Sequence, residues 1–410
     1  MTGWGPLDSA IERLIGRGFH KALDRIDAGL EAGRLEAHLP DGTHRLLGGR
    51  GDGPTAEVTI TNWRALMRLG HSGSVGWYKA WALGEWTSPD PVPIFDLFMR
   101  NRVSLGDAAR ASGLARMVNR LAHVFRRNSR SRAQKNIAFH YDLGNDFYSA
   151  WLDDSMTYSS ALFAEFIADT EPLEEAQQRK MQAIAERLQV GPGDRVWEIG
   201  CGWGALSRHI AGQTGAHVTG ITLSQEQLDE AKCQADAGPH RHLLDYQLTD
   251  YRDVTGQFDA IASVEMVEAV GQEYWPAFLD QIAARLKPCG RAALQYIAIA
   301  DDVFEKYAAS ADFIQTYIFP GGQLLSRSRF QALAEARGLQ WTDEIPFGLH
   351  YAETLRRWRL RFDSAVAQDR LPEGFDERFV QLWRYYLMYC EGGFRGGGID
   401  VAQVTLVKAE

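Results

Sequence analysis

Three glycines at alternate positions, Gly200, Gly202 and Gly204 in the stretch EIGCGWG, follow a short apolar run, Arg195 to Ile199, and precede a helical pattern. Glycines there permit a tight turn and close approach of a ligand to the backbone, and the helix behind them offers free N–H groups. Such a turn suits a nicotinamide dinucleotide or S-adenosylmethionine (SAM) alike. The spacing is GxGxG rather than GxGxxG, and the second strand ends in GITLSQEQ with no acid before Glu226, where a dinucleotide site places a ribose-binding carboxylate. The dinucleotide reading therefore falls. Further along, Glu268 stands in the mostly apolar SVEMVEAVG. A carboxylate in such surroundings is protonated or strongly hydrogen-bonded, so its pKa is expected to be raised. Glu265 is expected to face elsewhere, supporting a cationic ligand or a cap.

The elements that would hold these residues repeat regularly. Short apolar strands are expected at Arg195–Ile199, His217–Thr222, Leu243–Leu248, Phe258–Val264 and Arg291–Ile299, separated by helices at Ala205–Gly212, Gln225–Ala237 and Tyr274–Leu286. Strands alternating with helices give an α/β fold whose parallel sheet is covered on both faces. Its ligand then lies beyond the carboxyl ends of the strands, beside the first. Val401–Lys408 reads as a final antiparallel strand.

Composition sets the outer bounds. With 410 residues, 45% hydrophobic, the chain can bury a full core in two or three domains. No apolar run reaches the roughly 18 to 20 residues of a membrane span, and the N-terminus lacks a secretory pattern. The expected location is cytoplasmic. Cys201, Cys233, Cys289 and Cys390 form no CxxC pair, so no metal site is indicated. A net charge of -9 argues against nucleic acid as a partner. The charge is uneven, however: from Ala108 to Tyr141 there is no acid, while Arg110, Arg116, Arg120, Arg126, Arg127, Arg130, Arg132 and Lys135 fall inside. Taken alone this stripe is a solvated helix end, or a contact for anionic lipid headgroups worth about 1 kcal/mol per residue.

Three regions follow. Residues 1–125 form an N-terminal domain, mostly helical, with a helix over Leu7–Ala32 and one β-like stretch at Ala56–Asn62. Its aromatics Trp77, Tyr78, Trp81 and Trp86 are either core or a lipid-facing cluster. A basic linker, 126–135, leads to a catalytic domain over 136–410 with a lid insertion at about 301–330.

Several blocks occur in one order: HYDLGNDFY from His140, MTYSSALF from Met156, VWEIGCGWG from Val196, TLSQEQ from Thr222, TDYRD from Thr249, SVEMVEAVG from Ser263, LKPCGRAALQYI from Leu286, YIFPGG from Tyr317, FGLHY from Phe347 and YCEGGF from Tyr389. In these the chain resembles the SAM-dependent cyclopropane-fatty-acyl-phospholipid synthases and their mycolic-acid relatives, over roughly residues 60 to 410. The resemblance implies a Rossmann-like class I SAM methyltransferase sheet with helical lid insertions. It implies SAM contacts from Tyr158, Ser159, Glu198, Gly200, Cys201, Gly202, Gly204, Thr222, Leu223, Gln227, Asp250 and Tyr251.

It further implies transfer of a methylene unit to the cis double bond of an unsaturated phospholipid acyl chain. A bound bicarbonate would act as base, held by Ser160, Glu268, Gln295, Ile297 and Tyr351. Glu268 and Tyr351 carry the catalytic expectation. Cys390 matches a cysteine treated as active-site in the family, although the chemistry needs no thiol and a buried packing role is the plainer reading. The chain departs from the family where Ser160 replaces Cys, Gln295 replaces His and Ala269 replaces a His after the glutamate. Neither Ser nor Gln titrates near neutral pH, so the last proton loss could change site and give a methyl- or methylene-branched chain instead. A decayed, lipid-binding relative is the remaining alternative, set against the intact Glu268 and SAM residues. The lid aromatics Phe304, Phe313, Tyr317 and Phe319, with Trp358, Phe362, Trp383, Tyr385 and Tyr386 on a helical stretch over Thr354–Tyr389, either enclose the acyl chain or simply pack the core. The partners implied are acyl chains and, through the stripe at 110–135, the inner membrane face. A homodimer is kept open.

Overall fold

The structure, a computed structural model, describes residues 9–106, 143–164, 170–309 and 312–410. The basic stripe, the linker and the first three residues of HYDLGNDFY lie outside the described residues.

The N-terminal region is built on more strand than its sequence suggests. After a helix at Ser9–Gly29 come β1 (Arg34–His38), β2 (His44–Gly48) and β3 (Thr55–Ile60), a helix at Arg64–Ala82, the short β4 (Trp86–Thr87) and a helix at Val92–Arg100. The strands form one sheet in the order β2-β1-β3-β4. Short, charged strands such as RLEAH alternate exposed and buried positions, so their signal is weak outside the folded context. The aromatic cluster belongs to the core: Trp86 is buried, stacks on Trp77 at 4.4 Å and donates its indole N–H to the Trp77 carbonyl at 2.9 Å.

The second sheet follows the expected alternation. Its strands are β5 (Arg195–Ile199), β6 (His217–Thr222), β7 (Leu244–Leu248), β8 (Phe258–Val264), β9 (Leu286–Ile299), β10 (Leu325–Ser326), β11 (Leu339–Pro346) and β12 (Ile399–Lys408). The order is β11-β12-β9-β8-β5-β6-β7, with β10 beside β9. β5 through β9 pair in parallel, and β12 inserts antiparallel between β9 and β11. Runs such as FDAIASV are apolar on both sides because helices cover both faces. The chain moves outward from β5 to β7, then returns to β8 on the other side, so the reversal falls between β5 and β8. Ligands bind at that crevice in open α/β sheets.

One helical stretch expected over Thr354–Tyr389 is two helices, Gly348–Ala367 and Glu377–Arg395. Within the second, Gly392 and Gly396 let Val92–Arg100 approach closely: a Cβ at Gly392 would lie 2.4 Å from Phe95 Cβ, and one at Gly396 2.6 Å from Met99 Cβ. The two regions share one continuous core.

Candidate functional site

Two cavities meet at the β5/β8 crevice. The first, roughly 170 Å³, is lined by Tyr158, Ser159, Lys180, Glu198, the Gly200–Trp203 turn, Thr222, Leu223, Gln227 and Tyr251. Gly200, Gly202 and Gly204 all have positive φ, at 80°, 52° and 81°. A Cβ on Gly204 would also lie 2.6 Å from the Tyr246 hydroxyl. Ser224 caps the next helix by accepting from the Gln227 N–H at 3.3 Å, and the Thr222 hydroxyl donates to Gln227 Oε1 at 2.8 Å. The turn and the end of β6 thus bring hydroxyl and amide groups to the rim of this cavity.

Asp250 departs from expectation. Its carboxylate accepts from the Arg252 backbone N–H and pairs with the Arg252 guanidinium, and it lines the second cavity rather than the first. Tyr251 lines both.

Lys180, on the helix Leu173–Leu188, escaped the sequence reading because an isolated lysine in LEEAQQRKMQ looks like a solvated face. It is buried, lines the first cavity and donates to Ser159 Oγ at 2.7 Å. Burial drops its pKa to about 8, against the pull of Glu265, Asp153 and Glu198. Glu198 is buried too, accepts from the Ser207 hydroxyl, and is pushed up to about 7 by burial.

The second cavity, roughly 230 Å³, is mostly apolar. Phe319, Tyr386, Tyr389 and Cys390 line it; Phe313, Trp358, Phe362, Trp383 and Tyr385 are core residues behind the wall. Burial pushes the Cys390 thiol up, so at neutral pH it is no thiolate nucleophile. The two cavities share Tyr158, Leu223, Tyr251, Glu265, Met266 and Ala269.

On that shared wall the structure corrects the sequence reading. Glu265 does not face elsewhere. Its Oε1 accepts from the Ser160 backbone N–H at 2.9 Å and from Gln295 Nε2 at 2.8 Å, and its Oε2 accepts from the Tyr351 hydroxyl at 2.7 Å. Three groups expected around bicarbonate and Glu268 therefore converge on Glu265. The Ser160 hydroxyl instead donates to the Ala161 carbonyl at 3.0 Å. The Ile297 N–H donates to Glu268 Oε1, while Glu268 Oε2 is buried with no hydrogen-bond partner among the described residues. With these donors engaged, the residues present do not fit a free bicarbonate.

Glu265 follows β8 directly with φ of 50°. A non-glycine residue there costs about 1–3 kcal/mol and persists only where its surroundings over-determine it. Burial raises the pKa of both carboxyls, but Glu265 has three donors and the Lys180 charge against it, and Glu268 the backbone N–H groups of Ile297 and of its own residue, offset by the repulsion of Glu265. Glu268 is pushed up to about 8 and so holds its proton at neutral pH. The signal that could have found Glu265 was its position: the residue directly after a strand at the reversal of the sheet reaches the ligand.

Comparison with known proteins agrees with this architecture. The family model described as mycolic acid cyclopropane synthetase matches residues 128–404. This chain belongs to that family. Within the synthetase family it is 36% identical over 399 residues to the tuberculostearic acid methyltransferase of Mycobacterium tuberculosis, covering 92% of this chain and 89% of that one. It is 33% identical over 360 residues to the cyclopropane-fatty-acyl-phospholipid synthase of Escherichia coli K12, covering 86% and 88%. A mycolic acid cyclopropane synthase crystallised with S-adenosylhomocysteine and CTAB superposes with a TM-score of 0.61 at 30% identity, over 67% of this chain and 98% of that one. Like its relatives in the cyclopropane synthetase family, the chain is a SAM-dependent methyltransferase acting on fatty acyl chains.

Proposed function

We propose that the enzyme methylates the cis double bond of an unsaturated phospholipid acyl chain, with Glu265 rather than a free bicarbonate as the base, giving a branched chain instead of a ring. The observation that carries this is the Glu265 carboxylate seated among Ser160 N–H, Gln295 and Tyr351. It lies on the wall common to the polar and apolar cavities, where methyl donor and alkene would meet.

Bound SAM supplies an electrophilic methyl group on a sulfonium centre. The alkene π pair forms the new carbon–carbon bond while the carbon–sulfur pair stays on sulfur, leaving the neighbouring chain carbon cationic. The apolar cavity holds the alkene and keeps water from that cation. Glu265 takes the proton. Loss of a chain proton gives a methyl-branched alkene; a hydride shift to the cationic carbon followed by loss of a methyl proton gives a methylene (C=CH2) branch; direct loss from the methyl with closure would give the ring. The three donors and the Lys180 charge beside Glu265 favour its carboxylate form, while Glu268 lies beside the Glu265 charge, which supports Glu265 as the base. The relative that pairs with 92% of this chain is named for methylation, which also favours branching.

No helix among the described residues is long and apolar enough to cross a membrane. Acyl chains must then be drawn from a bilayer by peripheral contact, a role suited to the stripe at 110–135.

The test is incubation with SAM and vesicles of unsaturated phospholipid, followed by mass spectrometry and NMR of the acyl chains. A gain of one CH2 with methylene or methyl resonances supports the reading. No gain overturns it, and cyclopropane resonances return the ring product.

A further inference from the structure

A third cavity, roughly 290 Å³, opens within the N-terminal region. Leu35 and Ala37 of β1, Val58 and Ile60 of β3, and Phe95 and Phe98 of the helix Val92–Arg100 line it. Folded interiors keep few voids larger than a water, so an apolar space of this size is built for an occupant. Its catalytic-side wall is Tyr307, Asp312, Leu324, Tyr389 and Ile399, and all five residues also line the reaction cavity. One layer of side chains is therefore the boundary between the two spaces. The family model begins at residue 128, so the N-terminal walls of this cavity lie outside the matched stretch while its catalytic-side wall lies inside it.

The boundary is anchored from both sides. The helix Arg64–Ala82 breaks its regular conformation at Gly73, with φ of 56° and ψ of −136°, and Gly73 lines the cavity. Next to this kink, Ser74 Oγ accepts from the Phe313 N–H at 3.1 Å. Asp312 caps the short helix that follows, accepting from the Gln315 N–H at 2.9 Å.

We propose that the N-terminal cavity is the far half of one acyl tunnel: the hydrocarbon end of the substrate passes the Tyr307–Tyr389 boundary and lodges there, setting which chain carbon lies at Glu265. This rests on the acyl reading of the reaction cavity. Taking a methylene as comparable in bulk to a water's share of liquid, about 30 Å³, the space holds on the order of nine carbons. The occupant is the methyl end because the walls offer it mostly apolar contacts and because the space shares a wall with the reaction cavity. The N-terminal domain is then a ruler for the tail beyond the double bond.

Leu69 is half-buried on the cavity wall, so Leu69→Trp narrows the space without replacing a core residue. The full chain and this variant are assayed with SAM on two phospholipids that share the carboxyl-to-alkene segment but differ in the tail beyond it. The variant should lose on the order of tenfold in rate on the long tail and keep the short-tailed rate. Equal effects on both tails overturn the tunnel. In parallel, a monounsaturated phospholipid with a diazirine at the methyl end is photolysed on the wild-type protein. Crosslinks on the Leu66–Trp77 or Ile94–Phe98 peptides support the proposal, and crosslinks confined to the catalytic domain overturn it. Wild-type protein that adds no CH2 to either lipid overturns the acyl reading instead, and the crosslinks still decide the tunnel.

Discussion

The Tyr351 hydroxyl donates to Glu265 Oε2 at 2.7 Å, joining the first turns of the helix Gly348–Ala367 to the end of β8. Gln295 completes the clamp from the neighbouring strand, in register with Val264, and its carbonyl accepts the Glu265 N–H at 2.7 Å. Helix and sheet thus fix one carboxylate on the wall between two cavities.

Removing that carboxylate's charge should stop proton transfer while leaving SAM binding intact. Glu265→Gln is expected to lower turnover by about 10²–10⁴-fold, the usual range for a general base. Calorimetric SAM affinity should stay near wild type; a loss of SAM binding equal to the loss of rate would assign Glu265 to the cofactor instead.

Glu265→Gly relieves the φ of 50° and frees the three donors for a small anion. Added bicarbonate should then restore part of the turnover of this variant, and cyclopropane should appear among its products. Rescue absent at every bicarbonate concentration would mean that the donors do not form an anion site.

Gln403 pairs with Gln295 across β12 and β9 and donates to its Oε1 at 3.1 Å, which fixes the amide so that Nε2 faces Glu265. Gln403→Leu should lower kcat several-fold with KM for SAM unchanged and shift the pH profile. An unchanged profile would reduce Gln403 to packing.

The pH dependence of stability follows from the buried acids. Glu198 and Glu268, at about 7 and about 8, hold protons in the folded state that they release when unfolded above their ordinary value of 4.5. Their favourable contribution is complete below that value and is lost as pH rises through 7 to 8. The slope is up to about 1.4 kcal/mol per pH unit for each group. Lys180, lowered from 10.5 to about 8, acts oppositely, adding stability only above pH 8. Urea midpoints between pH 5 and 8 should fall for wild type and fall less for Glu268→Gln; parallel curves would place the Glu268 proton in bulk-like surroundings.

Much of this was legible in the sequence for physical reasons. β5, β6 and β8 match their expected bounds because strands buried on both faces read as unbroken apolar runs between turn residues. The glycine turn was legible because only glycine tolerates its backbone. The N-terminal sheet was mostly missed, since RLEAH and HRLLG are short and half-exposed. β11 was missed for the same reason, with only Leu339 buried. Glu265 was misread because nothing in SVEMVEAVG marks the left-handed backbone that this non-glycine residue adopts. The chain kinks at Glu265 before a short 3₁₀ turn, sending one carboxylate to Tyr351 and the other to Ile297.

The most direct measurement is the initial rate of acyl methylation in buffer stripped of carbon dioxide, compared with the same buffer after addition of bicarbonate. With Glu265 as the resident base, the two rates should be equal. A rate that collapses on stripping and returns with bicarbonate would contradict that assignment.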